Sequence, residues 1–211
     1  MKQILVYGDS LSWGIVPGTR RRLPFEQRWP GILERQLVHT GSSVRVIEDC
    51  LNGRRTVWED PFKAGRNGIE GIEQRMEVNS PLALVILMLG TNDFQSMLQH
   101  NAAHSAQGIA ALVRAIRRAP IEPDMPVAPI LVVAPPRTAT PAGAAVGKFS
   151  GARERSEGLE AAFAAVATEM SCAFFDAGRV IKVSAVDGVH LDADQHEVLA
   201  RALVAPVIAL L

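Results

Sequence analysis

Five short apolar segments, separated by stretches with helical spacing, constrain the fold of this chain more than any other feature. Several of the segments are continuously apolar, which is typical of strands buried on both faces of a parallel sheet. The alternation predicts βαβ crossovers and therefore an α/β fold with a mostly parallel, doubly wound sheet. The predicted strands are residues 4–7, 44–47, 82–89, 130–134 and 173–176, and the predicted helices are residues 26–39, 101–119, 153–170 and 192–211. Pro206 should kink or shorten the last helix.

Length and composition predict one globular domain over residues 1–211. The chain has 48% hydrophobic residues and a formal net charge of zero, and no Gly/Ser-rich linker or internal repeat divides it. The neutral balance argues against nucleic acid and against an anionic membrane surface as partners. It also gives little repulsion between copies, so we expect a homo-oligomer.

Cysteine usage and the first residues point to the cytoplasm. Cys50 and Cys172 are too few for a disulfide framework. The chain begins without the charged and apolar regions of a leader peptide. No apolar run approaches the ~20 residues of a membrane span. We therefore expect a cytoplasmic protein.

Ser10 follows the first predicted strand in the run Gly8-Asp9-Ser10-Leu11. The carboxyl edge of an open α/β sheet is where binding sites form, so this hydroxyl is a candidate nucleophile. A serine needs a base at neutral pH, and His190 has the best local setting of the five histidines. Asp187 lies three residues before His190, across a turn with Gly188, and could orient the imidazole.

Candidate donors for an oxyanion follow three strands. Asn92 comes after the third predicted strand, which should lie beside the first, and its amide can donate a hydrogen bond. Gly53 follows the second strand and can present its backbone N–H without a side chain in the way. The backbone N–H of Ser10 is a third donor. A turn-forming role is the alternative for both Asn92 and Gly53.

Four sequence blocks together resemble the SGNH (GDSL) hydrolase superfamily. They are Gly8-Asp9-Ser10-Leu11, Gly53, Gly90-Thr91-Asn92-Asp93 and Asp187-Gly188-Val189-His190, in the order of the family and over nearly the whole chain. The longer strings around Ser10 and His190 are similar to bacterial arylesterases, acyltransferases and carbohydrate-acetylesterase-like members. The resemblance implies a three-layer α/β/α flavodoxin-like fold with five parallel strands. It also implies Ser10 as nucleophile, His190 as base, Asp187 as orienting acid, and Ser10, Gly53 and Asn92 as oxyanion hole, without metal or cofactor.

The expected substrate is a small acyl ester of an aryl, alkyl or sugar alcohol. Aromatic residues at the same sheet edge, including Trp58 and Phe62, suit small acyl groups, although large aromatics also serve as core residues. An apolar, partly closed pocket would let an alcohol compete with water for the acyl group. A thioesterase or lysophospholipase activity and a non-catalytic binding module are the alternatives. The residues expected to contact substrate are Asp9, Leu11, Trp13, Asp93, Phe94 and Val189.

Two long loops, residues 54–67 and 135–150, are candidates for functional segments. A basic run, Arg20-Arg21-Arg22, is interpreted as a solvated loop in preference to an anion site. Gly147-Lys148 is no phosphate-binding loop, because Phe149 stands where Ser or Thr would bind magnesium.

Overall fold

A computed structural model describes all of residues 1–211 and contains one five-stranded parallel sheet. Its spatial order is β2-β1-β3-β4-β5, so the first strand lies between the second and the third. The strands are β1 (Lys2–Gly8), β2 (Val44–Cys50), β3 (Leu84–Met88), β4 (Ile130–Ala134) and β5 (Ala173–Asp176). The predicted parallel α/β sheet is thereby confirmed.

Helices cover both faces of the sheet, giving three α/β/α layers. They are α1 (Ser10–Trp13), α2 (Trp29–His39), α3 (Ile72–Asn79), α4 (Ala102–Arg118), α5 (Val146–Phe149), α6 (Ala152–Arg155), α7 (Leu159–Glu169) and α8 (Ala193–Ile208). Helices α2 and α8 pack together on one face, and α4 packs with α3 and α7 on the other. None of the helices has the length and apolar character needed to cross a membrane.

The central strand shows why the apolar runs are continuous. Along β3, Leu84 and Ile86 enter the core beneath α2 and α8, whereas Val85 and Leu87 enter the core beneath α3, α4 and α7. Successive side chains of a strand point to opposite faces. Because both faces are covered, every position of β3 is buried.

The connectivity creates a crevice between the carboxyl ends of β1 and β3. From β1 the chain crosses to β2 on one side, then returns past β1 to β3 on the other, with Leu5 opposite both Ile47 and Val85. Such a reversal of strand order is the topological switch point at which open α/β sheets bind ligands. The segments after β1, β2 and β3 therefore meet at one edge.

Helix boundaries differ from the sequence-based prediction by more than one residue in three places. Helix α2 begins at Trp29, three residues late, because Arg28 is extended with ψ 142° and follows a short 3-10 turn. The predicted helix over residues 153–170 is interrupted at Gly158, which is left-handed with φ +75°. Helix α8 passes through Pro206 and ends at Ile208, so it is shorter than predicted. Helices α1, α3 and α5 were not predicted.

Candidate active site

Ser10 is held at the carboxyl end of β1 by a tight turn into α1. Asp9 caps that helix, since its Oδ1 accepts a hydrogen bond from the Leu11 N–H at 2.9 Å. Ser10 is the first helical residue and is 5% exposed. Its Oγ lies 3.2 Å from Nε2 of His190, within hydrogen-bonding distance.

His190 is oriented by Asp187. Its Nδ1 lies 2.8 Å from Oδ2 of Asp187, and the backbone N–H groups of Val189 and His190 donate to Oδ1 at 3.0 and 2.9 Å. The Gly18 N–H donates to Oδ2 at 3.0 Å. Burial by itself raises the pKa of Asp187, but the hydrogen bonds from His190 and these N–H groups outweigh it and hold that pKa well below the usual range. Asp187 is therefore an anion that can stabilise a protonated imidazole.

Gly188 allows Asp187 and His190 to approach each other. Its φ is +74°, a backbone conformation that side chains disfavour. A Cβ at this position would also lie 2.4 Å from the carbonyl oxygen of Thr140. The glycine is therefore required by both the turn and the packing of the residue 135–150 loop.

Gly53 has a free backbone donor and lines the same cavity as Ser10. The residue is buried in the loop after β2 with φ +83°. Its N–H donates to no group of the protein. A buried N–H without a partner is uncommon, and this one is suited to receive an oxyanion.

Asn92 is fixed at the end of β3 by three hydrogen bonds. Its Nδ2 donates to Oδ2 of Asp9 at 2.9 Å and to the carbonyl oxygen of Arg54 at 3.2 Å. Its Oδ1 accepts from Nε2 of Gln95 at 2.8 Å, which sets the orientation of the amide. Both amide hydrogens are thus engaged, so an oxyanion would have to compete for one of them, and the longer bond to Arg54 is the weaker competitor.

A cavity of about 300 Å³ opens over these groups. It is the size of a small-ligand site. The candidate nucleophile, base, orienting acid and two of the oxyanion donors all line it: Ser10, His190, Asp187, Gly53 and Asn92. The structure therefore brings together the residues that the sequence placed at separate strand ends. The arrangement can pass the Ser10 proton to His190, and the free N–H of Gly53 can donate to an oxyanion formed in the same cavity.

The apolar and aromatic residues expected to contact substrate do not line this cavity. Leu11, Phe94 and Val189 are 1% exposed and belong to the two apolar cores. Trp13 lies under the guanidinium of Arg22, 4.7 Å from the ring centre. None of the four lines the cavity. Sequence proximity to Ser10, Asn92 or His190 thus does not put a side chain on the cavity, because Leu11, Phe94 and Val189 point into the cores and Trp13 packs against Arg22.

Asp9 and Asp93, the two acidic residues expected to contact substrate, are buried and hold neighbouring parts of the site in place by hydrogen bonds. Asp9 is 1% exposed, and its carboxylate holds α1 and Asn92 as described. Asp93 is fully buried and accepts from Thr56 N–H at 2.9 Å and from the Thr56 and Ser105 hydroxyls at 2.8 and 2.7 Å. Burial raises the pKa of each to about 6. Neither lines the cavity.

Two loop aromatics also lie off the cavity. Trp58 packs against the ring of His100 with ring centres 3.9 Å apart, and Phe62 is 84% exposed. The cavity wall is instead formed by Ile15, Asn52, residues 142–145 and Phe149, together with charged side chains. The aromatic wall expected from the sequence is therefore mostly absent.

Three cations on the cavity wall were not identified as site residues from the sequence. They are Arg20, Lys63 and Lys148; the first two lie in loops and the third in the short helix α5. The signals were present, since Arg20 begins the basic run and Lys63 and Lys148 lie in the two long loops. Residues in loops show no periodic sequence pattern, so the convergence of these three cations on one cavity could not be predicted. The structure contains no cluster of three or more His, Cys, Asp or Glu side chains that could hold a metal ion.

Comparisons with known proteins agree with this geometry. The chain can be superimposed on the aryl esterase of M. smegmatis, solved in an inhibitor-bound form, with a TM-score of 0.94, 33% identity and full coverage of both chains. Est24, a carbohydrate acetylesterase from Sinorhizobium meliloti, superimposes with a TM-score of 0.93 and 34% identity, again over the whole of both chains. A comparison with curated protein sequences gave no significant match.

A family model decides the assignment. Residues 6–198, which include every candidate catalytic residue, match the model of the GDSL-like lipase/acylhydrolase family. The same span contains the crevice between β1 and β3 and the loops around the cavity. The chain therefore belongs to the GDSL-like lipase/acylhydrolase family, within the SGNH hydrolase superfamily of ester hydrolases.

Proposed function

We propose that this protein is a serine esterase that hydrolyses small acyl esters through an acyl-enzyme on Ser10. The observation that carries the proposal is the line of contacts from Ser10 Oγ to His190 Nε2, 3.2 Å, and from His190 Nδ1 to Asp187, 2.8 Å. This is the nucleophile, base and orienting-acid geometry of acyl transfer. The free N–H of Gly53 lines the same cavity.

The proposed reaction has two halves. His190 Nε2 takes the Ser10 proton as Oγ attacks the ester carbonyl, and the N–H groups of Ser10 and Gly53 and the Asn92 amide receive the oxyanion. His190 then protonates the departing alkoxide, which leaves an acyl group on Ser10. Water, deprotonated by His190, attacks that acyl group and regenerates the serine.

The cavity supports a small ester. Its volume of about 300 Å³ is at the lower end for ligand sites. The aryl esterase and carbohydrate acetylesterase that this chain resembles point to short acyl groups on aryl or sugar alcohols. Exposed residues such as Lys63 and Lys148 line the cavity, so it is open to water, and hydrolysis is the activity that we propose. A cavity of this volume does not favour the long acyl chain of a thioesterase or lysophospholipase substrate.

Nucleophile labelling and an ester panel test the proposal. Ser10→Ala should abolish labelling by a fluorophosphonate and lower kcat by a factor on the order of 10⁴ to 10⁶. Ser12→Ala is the matched control, because Ser12 lies in the same helix and its hydroxyl reaches only the Met88 sulfur, at 4.0 Å. 4-Nitrophenyl esters from acetyl to dodecanoyl should show the highest kcat/KM at two to four carbons. Retained turnover in Ser10→Ala, or a preference for long chains, would contradict the proposal.

We further propose that the protein is a cytoplasmic homo-oligomer. Its formal net charge of zero gives little repulsion between copies, and Phe62 exposes a large apolar surface on a loop. Cys50 and Cys172 are both free, which suits a reducing compartment. Sedimentation velocity at micromolar concentration tests the assembly, and a single monomeric species would contradict it.

A further inference from the structure

Three cations from three separate segments converge on the cavity above Ser10. Arg20 lies between α1 and α2, Lys63 between β2 and α3, and Lys148 on α5. None of them takes part in the ten ion pairs of the structure. All three residues are exposed, so solvent balances their charges in the free protein, and an anion in the cavity could pair with them.

The acidic residues of the cavity are already engaged. Asp60 Oδ2 lies 3.2 Å from the fully buried guanidinium of Arg55, and its Oδ1 accepts the Phe62 N–H at 3.0 Å. Asp187 is held by His190 and three backbone N–H groups. The remaining charge on the wall is therefore positive, although the protein as a whole is neutral.

The cations also act on one another. Desolvation is the main cause that lowers the pKa of Lys63, and Arg66 and Arg20 lower it further, against the opposing effect of Asp60. Desolvation likewise lowers the pKa of Lys148 most, Asp60 opposes it, and Arg55, then Lys63 and Arg20, lower it further. An anion placed among them would relieve this repulsion.

Lys148 connects the cationic wall to the reacting centre. Its Nζ lies 4.0 Å from the position that a Cβ on Gly53 would occupy. Gly53 in turn shares the cavity with Ser10 and His190. A ligand that pairs with Lys148 is therefore close enough to Ser10 to be part of the substrate.

We propose that the physiological substrate is an ester whose alcohol part carries a carboxylate, bound by Lys148, Lys63 and Arg20. The inference rests on the proposed function, because a short acyl group leaves no room for a charge on the acyl side. A single carboxylate can accept hydrogen bonds from two or three such donors. These cations determine specificity, and they do not act on the scissile bond.

Two esters that differ only in one charged group test whether the cavity prefers a carboxylate. 4-Acetoxybenzoate and 4-acetoxybenzamide share the acetyl group and the aryl alcohol, and they differ in a carboxylate against a neutral amide of the same size. The ratio of their kcat/KM values is compared between protein variants. The intrinsic reactivity of each ester then cancels, since it is the same with every variant.

Two triple variants separate local contacts from overall charge. The cavity variant is Arg20→Gln with Lys63→Gln and Lys148→Gln. The control variant is Arg45→Gln with Arg118→Gln and Arg201→Gln, whose side chains lie outside the cavity and are 60%, 70% and 66% exposed. Each variant changes the formal net charge from zero to −3.

The preference for the carboxylate ester should fall about tenfold in the cavity variant, as expected for three part-exposed pairs, and less than twofold in the control. An unchanged ratio in the cavity variant, or an equal fall in both, would overturn the inference. If the cavity variant does not fold by circular dichroism, its three single variants are compared in the same way. Hydrolysis of the amide ester that does not need Ser10 would instead count against the proposed function.

Discussion

At the scale of single residues, the orientation of the Asn92 amide depends on a line of buried side chains. Gln95 Nε2 donates to Asn92 Oδ1, and Arg55 Nη2 donates to Gln95 Oε1 at 2.6 Å. Arg55 also pairs with Asp60, which lines the cavity. The line fixes which end of the amide faces Asp9 and the cavity. Gln95 is thus a positioning residue for the proposed oxyanion hole.

A double-mutant cycle tests this line. Asn92→Ala should lower kcat by about 10²–10³, the usual cost of one oxyanion donor. Gln95→Ala should lower kcat by about tenfold with little change in KM, because Asn92 loses its anchor. If Gln95 acts only through Asn92, the double variant should be no slower than Asn92→Ala alone. Additive losses in kcat would contradict a positioning role.

The sequence identified the reacting groups but not what surrounds them. Asp187 and His190 lie in one short block whose turn brings them together, and Ser10 follows a strand that ends at the same sheet edge, so their grouping could be predicted. Leu11 could not be placed in the same way, since each helical residue turns by about 100° from the last and Leu11 points into the core. Gln95 and the three cations depend on long-range packing, for which the chain has no periodic signal.

At the scale of secondary-structure elements, continuous apolar runs predicted the strands better than the helical spacing of apolar residues predicted the helices. Residues 130–134 and 173–176 were predicted with the bounds observed for β4 and β5. Helix α3 was missed because only Ile72 and Met76 of its eight residues are buried, which leaves too short an apolar stripe to recognise. The predicted helix breaks at Gly158 because this residue adopts a left-handed conformation. A glycine in a helical pattern does not by itself indicate that conformation.

Helix α2 owes its first hydrogen bond to another helix. Arg28 makes no side-chain cap, and the Trp29 N–H donates instead to Nδ1 of His196 on α8, at 3.2 Å. His196 is fully buried, and its Nε2 has no partner. Because Nδ1 accepts, the proton of the neutral ring is on Nε2. The packing of α8 on α2 thus depends on a neutral histidine.

This histidine should make stability depend on pH. Burial, with a smaller effect of Arg28, lowers the pKa of His196 to about 4 from an ordinary 6.5. The unfolded chain therefore binds a proton as pH falls through 6.5, and the folded chain does so only near pH 4. The stabilisation is complete above pH 6.5 and is lost towards pH 4, by about 3 kcal/mol in all.

Urea unfolding at pH 7.5 and 4.5 measures that loss. In His196→Asn the side-chain oxygen can still accept the Trp29 N–H, but no group titrates, so the variant should lose less stability than the wild type on acidification. Asp9 and Asp93, whose pKa values burial raises to about 6, contribute with the opposite sign. Their effect is common to both proteins and cancels in the comparison. Equal losses would show that His196 does not remain neutral in the folded state.

At the scale of the whole molecule, one sheet serves two cores. A cluster of 26 buried residues lies on the side of α3, α4 and α7, and a cluster of 22 lies on the side of α2 and α8. Each of β1, β3 and β4 contributes alternate residues to both. Disruption of either core would therefore expose one face of each of these three strands to solvent. The candidate site sits at the edge that both cores support.

The shared sheet leads us to expect that residues 1–211 unfold as a single cooperative unit. Phe163→Ala on α7 and Leu199→Ala on α8 remove fully buried side chains from opposite cores. Each should cost about 2–5 kcal/mol, and each should lower one common transition in calorimetry and in far-ultraviolet circular dichroism. Val198→Ala, at a position 40% exposed on α8, is the matched control and should shift that transition little. A variant that splits the transition into two would show that each face of the sheet unfolds separately, and the chain would then contain two folding units instead of one domain.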